Sequence, residues 1–252
     1  MLKWKKFLRM VNPKTILITG SSSGLGSYMA LYFANNGFNV VMTYSKSKQK
    51  IKKLIKNFPE QNLPLVLKCD VTKLNDVNDT IKSSLKHFGS IDILINNAGI
   101  HMDSPVSTMT FKKWKQVLEI NLDGVFHFSK AVLSQMKKQN YGRIVNISSF
   151  TALHGVAGAS NYAASKAGIL GFTTSFAKEV AKNNITVNAI APGYFDIGMF
   201  YDIKQEIRKK LKKNIPAQRL GNPEEICQLI NILISSGYVT GQTFVTDGGY
   251  SS

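Results

Sequence analysis

The stretch "ITGSSSGLG", residues 18–26, decides how the rest of the chain is read. It ends a short apolar run, "TILIT" at 15–19, and opens a segment of helical periodicity. Its glycines are Gly20, Gly24 and Gly26, spaced G-x-x-x-G-x-G rather than in the general G-x-G-x-x-G fingerprint. Glycine lets the backbone turn tightly and come close to a pyrophosphate, while the start of the following helix faces the anion. Gly20, Ser22, Ser23, Gly24, Leu25 and Gly26 are therefore candidate dinucleotide contacts. A turn of this kind can also join a strand to a helix with no ligand, so the remaining chain has to decide.

Working outward, apolar runs alternate with helical segments. "NVVMTY" (39–44), "LPLVLKCD" (63–70), "DILIN" (92–96), "RIVNIS" (143–148), "ITVNAIA" (185–191) and "QTFVTD" (242–247) join the first run as buried strands. Such nearly continuous apolar runs suit a parallel sheet covered on both faces. Helices are expected near 24–36, 46–57, 73–88, 110–138, 160–182 and 223–235. The alternation predicts a single-domain, doubly wound parallel α/β sheet of about seven strands over 14–252. Residues 1–13 read as a basic extension, with Met10 an alternative start. Segment 194–222 breaks the alternation with a short basic helical piece, the place for a small substrate lid.

The 252 residues carry a net charge of +17, concentrated at 1–14, 46–56 and 204–213. This suits an acidic partner or a phosphorylated cofactor, and equally lysine-rich solvated faces. The two cysteines, Cys69 and Cys227, lack metal-ligand spacing. Neither a disulfide framework nor a metal site is expected, and a reducing cytoplasm fits. No apolar stretch has membrane-spanning length, so no membrane association is expected.

The end of the second strand selects the cofactor. A site for NAD places an acid about 20 residues past the glycines. Here that region is Tyr44-Ser45-Lys46-Ser47-Lys48, which contains no acid and would welcome a 2′-phosphate. NADPH/NADP+ is the expected cofactor. Asp70, with Val71 beside it, can meet an adenine amino group or cap the next helix. Asn97, Ala98 and Gly99 of "NNAG" form a small-residue floor for a flat ring or sugar.

"NYAASKAG" (161–168) then puts Tyr162 one helical turn before Lys166. A tyrosine normally holds its proton, and a neighbouring cation is expected to pull its pKa down toward neutrality. Ser149, ending "IVNISS", can donate a hydrogen bond to a substrate carbonyl.

With "TGSSSGLG", "NNAG", "NLDGVF" (121–126), "IVNISS" (144–149), "YAASK" (162–166), "PG" (192–193) and "TGQTFVTDGG" (240–249), the chain resembles the short-chain dehydrogenase/reductase family. The resemblance spans 14–250 and is nearest to bacterial 3-oxoacyl-[acyl-carrier-protein] reductases. It implies a Rossmann-type sheet of seven strands and a catalytic set of Asn121, Ser149, Tyr162 and Lys166, with Asn121 holding a water that returns protons to Lys166. Tyr162, Lys166, Pro192, Gly193 and Phe195 are implied as further cofactor contacts. The implied activity is reduction of a 3-oxoacyl thioester, on acyl carrier protein or coenzyme A, by a cytoplasmic homotetramer in fatty acid biosynthesis. Two departures stand out. Ile197 replaces a threonine expected at the nicotinamide carboxamide, and Lys137, Lys138 and Lys182 stand where carrier-binding arginines are often found. The alternatives are reduction of another ketone, or a nucleic-acid-binding protein on this scaffold. The second lacks any helix-turn-helix or aromatic stacking motif, so no nucleic acid is expected. His101 and His154 read as loop residues.

Overall fold

Strands that are apolar on both faces cannot be left open to water, and the fold follows from covering them. The computed structural model describes residues 13–46 and 48–251; the basic extension and Met10 fall at 1–12, outside the described residues. Seven strands form one sheet: β1 (Thr15–Ile18), β2 (Asn39–Tyr44), β3 (Leu65–Lys68), β4 (Ile93–Asn96), β5 (Gly142–Ile147), β6 (Ile185–Pro192) and β7 (Thr243–Thr246). Their order is β3-β2-β1-β4-β5-β6-β7, and every neighbouring pair is parallel.

Side-chain alternation splits each strand between two cores. Ile16 and Ile18 of β1 pack on one face with α1 (Gly24–Asn35), α2 (Lys48–Ile55) and, later in the chain, the helix at Pro223–Ser235. Leu17 packs on the other with α3 (Leu74–Phe88) and with the helices at Gly124–Gln139 and Ser160–Val180. This is the doubly wound arrangement expected. The sheet reverses its winding between β1 and β4, so a crevice opens at their carboxyl ends.

Three expectations are corrected. β3 and β7 are edge strands in this chain, so their residues are only partly covered rather than buried. The helix expected over 110–138 is α4 (Phe111–Leu118), a π-helical turn at Glu119–Asp123, and α5 (Gly124–Gln139). The break falls on Asn121. Widening a helix by one residue re-aims a side chain, and such turns often sit at functional sites. His154, expected in a loop, instead ends α6 (Thr151–His154).

α7 (Ser160–Val180) carries the tyrosine and lysine. The irregular segment after β6 holds a 3-10 turn (Gly198–Asp202) and α8 (Gln205–Asn214), the basic helical piece anticipated. α9 (Pro223–Ser235) starts with proline in its first turn and a reciprocal cap between Asn222 and Glu225, which explains "GNPEE" locally.

Candidate active site

The carboxyl ends of the strands surround a cavity of about 1190 Å³. One end is the glycine-rich turn. Gly20 has φ +64°, and a Cβ there would lie 2.7 Å from Ala98 Cα. A Cβ on Gly26 would lie 2.5 Å from Asn97 Nδ2 and 2.6 Å from the Gly20 carbonyl. The turn is therefore packed backbone to backbone against "NNAG", and only glycine allows it.

The serines of the turn divide the work. Ser21 is fully buried; its Oγ donates to the Ile18 carbonyl (3.0 Å) and accepts from Thr43 N (3.0 Å), tying the turn to β2. Ser22 and Ser23 line the cavity instead. Ser23 precedes α1 without making a side-chain cap, and the first turn of α1 holds no acid. Uncapped N–H groups and the positive end of the helix suit a phosphate.

Thr19 joins this turn to β4: its Oγ1 accepts from Asn97 N (2.9 Å) and Ala98 N (3.0 Å). Asn97 Nδ2 returns bonds to the carbonyls of Thr19 (2.9 Å) and Gly20 (3.2 Å). Tyr44, Ser45, Lys46, Asp70, Val71 and Gly99 extend the same wall, and Lys50 joins them. Lys46 is exposed at the rim. Asp70 Oδ1 accepts from Thr72 N (3.1 Å) and Thr72 Oγ1 (2.8 Å), an Asx-type turn; Lys73, not Asp70, precedes α3.

The other end of the cavity holds Ser149, Tyr162 and Lys166, with Pro192, Gly193 and Phe195 between the ends. Lys166 is 3% exposed, and its Nζ donates to the Ile147 carbonyl at 2.8 Å. The carbonyl of Lys166 accepts from Ser148 Oγ at 2.8 Å, so both ends of this residue are fastened to the end of β5. Nζ lies 5.6 Å from the Tyr162 ring centroid.

The expected lowering of the tyrosine pKa is overturned. Burial pushes the Tyr162 phenol up to about 12, with Ser149 hydrogen bonding pulling it down and Asp103 adding to the rise. Burial also pushes the Lys166 ammonium down to about 8. Desolvation outweighs neighbourhood here. The phenol firmly holds its proton, and the amine is poised near neutrality.

Asn121 stands behind this wall rather than on it, fully buried. Its Oδ1 accepts from Ile100 N (2.8 Å), and its Nδ2 donates to the Ile100 carbonyl (2.9 Å) and to Ser165 Oγ (3.0 Å). Its side chain clamps the loop after β4. A Cβ on Gly99 would meet Asn121 Oδ1 at 3.3 Å and Lys166 Nζ at 3.5 Å, so the missing side chain leaves the space between them.

The lid segment roofs the cavity through Ile197, Met199, Phe200 and Ile203. His101, on the loop after β4, sits 3.6 Å from both Asp103 and Asp202, linking that loop to the lid. His154 stays outside the cavity, its ring 6.1 Å from that of Tyr250. Lys137, Lys138 and Lys182 are exposed near the starts of β5 and β6, at the opposite end of the strands from the cavity. Among the described residues no His/Cys/Asp/Glu group could hold a metal, and no helix is long and apolar enough to cross a membrane. Both cysteines are free and buried.

A fold wound this way, with a Tyr/Lys/Ser cluster facing a glycine-rich turn, is that of a nicotinamide-dependent oxidoreductase. The family described as enoyl-(acyl carrier protein) reductase matches residues 20–251, and the chain belongs to the short-chain dehydrogenase/reductase family. It is 40% identical over 241 residues to the 3-oxoacyl-[acyl-carrier-protein] reductase FabG of Thermotoga maritima, covering 94% of this chain and 97% of that protein. A 3-oxoacyl-[acyl-carrier-protein] reductase of Synechocystis sp. is 39% identical over 246 residues, covering 95% and 97%. The FabG of Staphylococcus epidermidis is 36% identical over 239 residues, covering 94% and 98%.

The residues present fit a dinucleotide, since the close approach at Gly20 and Gly26 leaves a side-chain-free cradle beside the start of α1. Gly26→Ala is expected to force Asn97 away from the turn. Nicotinamide dinucleotide affinity, measured by titration, should then fall by about tenfold or more, equivalent to about 1.4 kcal/mol. Unchanged affinity would remove the turn from the binding site.

Proposed function

We propose that this protein is an NADPH-dependent 3-oxoacyl-[acyl-carrier-protein] reductase, converting a 3-oxoacyl thioester to the 3-hydroxyacyl thioester in fatty acid synthesis. The observation that carries the reading is the meeting of Ser149, Tyr162 and Lys166 at one end of a cavity whose other end is the glycine-rich turn. The 36–40% identity to reductases of that name supports it along nearly the whole chain.

The chemistry follows from the two displaced proton affinities. Bound NADPH supplies the hydride that reduces the ketone carbon. Ser149 Oγ donates a hydrogen bond to the ketone oxygen and orients it. Tyr162 Oη gives its proton to that oxygen as negative charge grows there. A phenol near 12 is still a far stronger acid than an alcohol, so transfer to an alkoxide runs downhill. The Lys166 ammonium stabilises the phenolate left behind, and with a pKa of about 8 it can return a proton to it. Asn121 acts at one remove, holding the loop that carries Ile100 and the neighbouring Gly99.

The cytoplasm is the compartment we assign, consistent with two unpaired cysteines. A homotetramer is supported by apolar residues left exposed on regular elements, Phe126 on α5 and Val245 on β7.

Tyr162→Phe keeps the ring and its packing but removes the proton. Turnover in an NADPH oxidation assay with a 3-oxoacyl thioester should fall by about 10²–10⁴-fold while NADPH affinity holds. Turnover at the parent rate would sink the mechanism.

Cofactor preference rests on Lys46, an exposed cation on the cavity rim with no acid nearby in β2 or α2. Lys46→Asp should weaken NADPH by more than about tenfold, since a charge-assisted bond contributes about 1.5–3 kcal/mol, and leave NADH nearly unchanged. A parent protein that prefers NADH would refute the assignment.

The carrier is expected to approach over the lid. α8 begins two residues after the cavity-lining Ile203, has no buried residue and displays Lys209, Lys210, Lys212 and Lys213. An acidic carrier would be steered there, and steering weakens as the screening length shortens from about 10 Å at 0.1 M salt to about 3 Å at 1 M. Reversing Lys209 and Lys210 to glutamate should raise KM for a carrier-bound substrate, spare kcat, and leave a small uncharged 3-keto ester untouched. Equal damage to both substrates would show that the lid face does not dock a carrier.

A further inference from the structure

Ser149 does not stand alone at the end of β5. Its Oγ accepts two hydrogen bonds from one residue, from Thr151 N at 3.2 Å and from Thr151 Oγ1 at 2.9 Å. A hydroxyl has two acceptor sites and one donor proton. Thr151 fills both acceptor sites, so the capacity left to Ser149 Oγ is to donate. From this geometry we propose that Thr151 is a positioning residue that fixes Ser149 as an obligate hydrogen-bond donor to the substrate carbonyl.

The inference rests on the reductase reading above, and it assigns a role that the Ser/Tyr/Lys set does not contain. An unrestrained serine hydroxyl rotates and can accept as well as donate. In the Ser149–Tyr162 pair that freedom matters, because the phenol is itself a donor. A serine accepting from the Tyr162 hydroxyl would direct the tyrosine proton to the serine rather than to the ketone oxygen. With both serine lone pairs occupied, the tyrosine proton is left for substrate. The serine proton points to the same oxygen or to the phenolate that forms.

The surroundings hold Thr151 rigid enough to do this. Thr151 is 7% exposed, on the cavity wall. Phe150, between the two hydroxyl residues, is 4% exposed; its N–H donates to the Pro192 carbonyl at 3.0 Å. Its ring packs against those of Tyr194 (5.0 Å) and Tyr250 (5.2 Å). The first turn of α6 adds a bond from Ala152 N to the Ser149 carbonyl at 3.0 Å. The Ser149–Thr151 turn is thus fixed from the sheet side, the aromatic side and the helix side, and the hydroxyl pair inherits its direction from backbone.

Thr151→Val keeps the branched shape and the backbone N–H but deletes the hydroxyl donor; Thr151→Ser restores the donor. NADPH oxidation with a 3-oxoacyl thioester is measured for both variants and the parent, with NADPH affinity and with NADPH deuterated at the transferred position. For Thr151→Val, kcat should fall by about five- to tenfold, the scale of one hydrogen bond. KM and NADPH affinity should hold, and the isotope effect on kcat should grow as the chemical step slows. Thr151→Ser should recover the parent kcat. The proposal is overturned if Thr151→Val turns over at the parent rate, if its loss appears in KM or cofactor affinity instead, or if Thr151→Ser is equally slow. Ser149→Ala separates the two layers. If it is slow while Thr151→Val is unaffected, only the role of Thr151 fails. If it turns over like the parent, the reading of Ser149 fails and takes the role of Thr151 with it.

Discussion

A lysine ammonium taken out of water loses several kcal/mol of hydration unless the protein replaces it, and the site is organised around how Lys166 is held. Its Nζ donates to the carbonyl of Ile147, the last residue of β5, and its own carbonyl accepts from Ser148, the next residue along. These two bonds set the height of α7 over the sheet and thereby the position of Tyr162, one turn earlier. They also explain why adjacent serines have different tasks. Ser148 faces α7 and anchors it, whereas Ser149, pointing the other way from an extended chain, faces the cavity. Burial lowers the lysine pKa to about 8, so the group that anchors α7 is also one poised near neutrality.

The sheet supplies the second constraint. β1 and β4 lie side by side although two strands separate them in sequence, and their carboxyl ends meet where the helices depart to opposite faces. That junction has no room for a side chain at Gly20 or Gly26. Gly20 against Ala98 and Gly26 against Asn97 close it, and Thr19 bonds across it. The same crowding that excludes side chains creates the smooth surface a dinucleotide needs, and packing and binding cannot be varied independently there.

Most of the architecture was legible because parallel strands buried on both faces leave an unbroken apolar signature, as "TILIT" and "ITVNAIA" do. β3 and β7 were over-read as buried, since composition does not say which strand lies at the edge. The π turn at Glu119–Asp123 was invisible because it carries neither proline nor glycine and arises from tertiary demands on Asn121. Of the three serines in the glycine-rich turn, Ser22 and Ser23 line the cavity, whereas the strut made by Ser21 depends on a register with β2 that spacing cannot reveal. The pairing of Ser149 with Thr151 escaped for the same reason: two residues apart, they meet only because the chain turns at Phe150. The direction of the Tyr162 shift was misjudged because sequence displays neighbouring charges and hides desolvation.

Stability and access are divided along the chain in a way the chemistry requires. The candidate catalytic groups sit on α7 and just past the end of β5, elements fixed by core packing, where small displacements are resisted. The roof is the opposite. α8 contributes no buried residue; its Arg208 lies 4.8 Å from the Tyr201 ring and 5.9 Å from that of Phe200, and His101 reaches Asp202 in the preceding turn from the facing loop. Local opening is cheapest where little apolar surface is at stake. The roof can therefore shift without disturbing the anchor of Lys166, because the contacts of Arg208 and the His101–Asp202 pair are not among the bonds that hold that lysine.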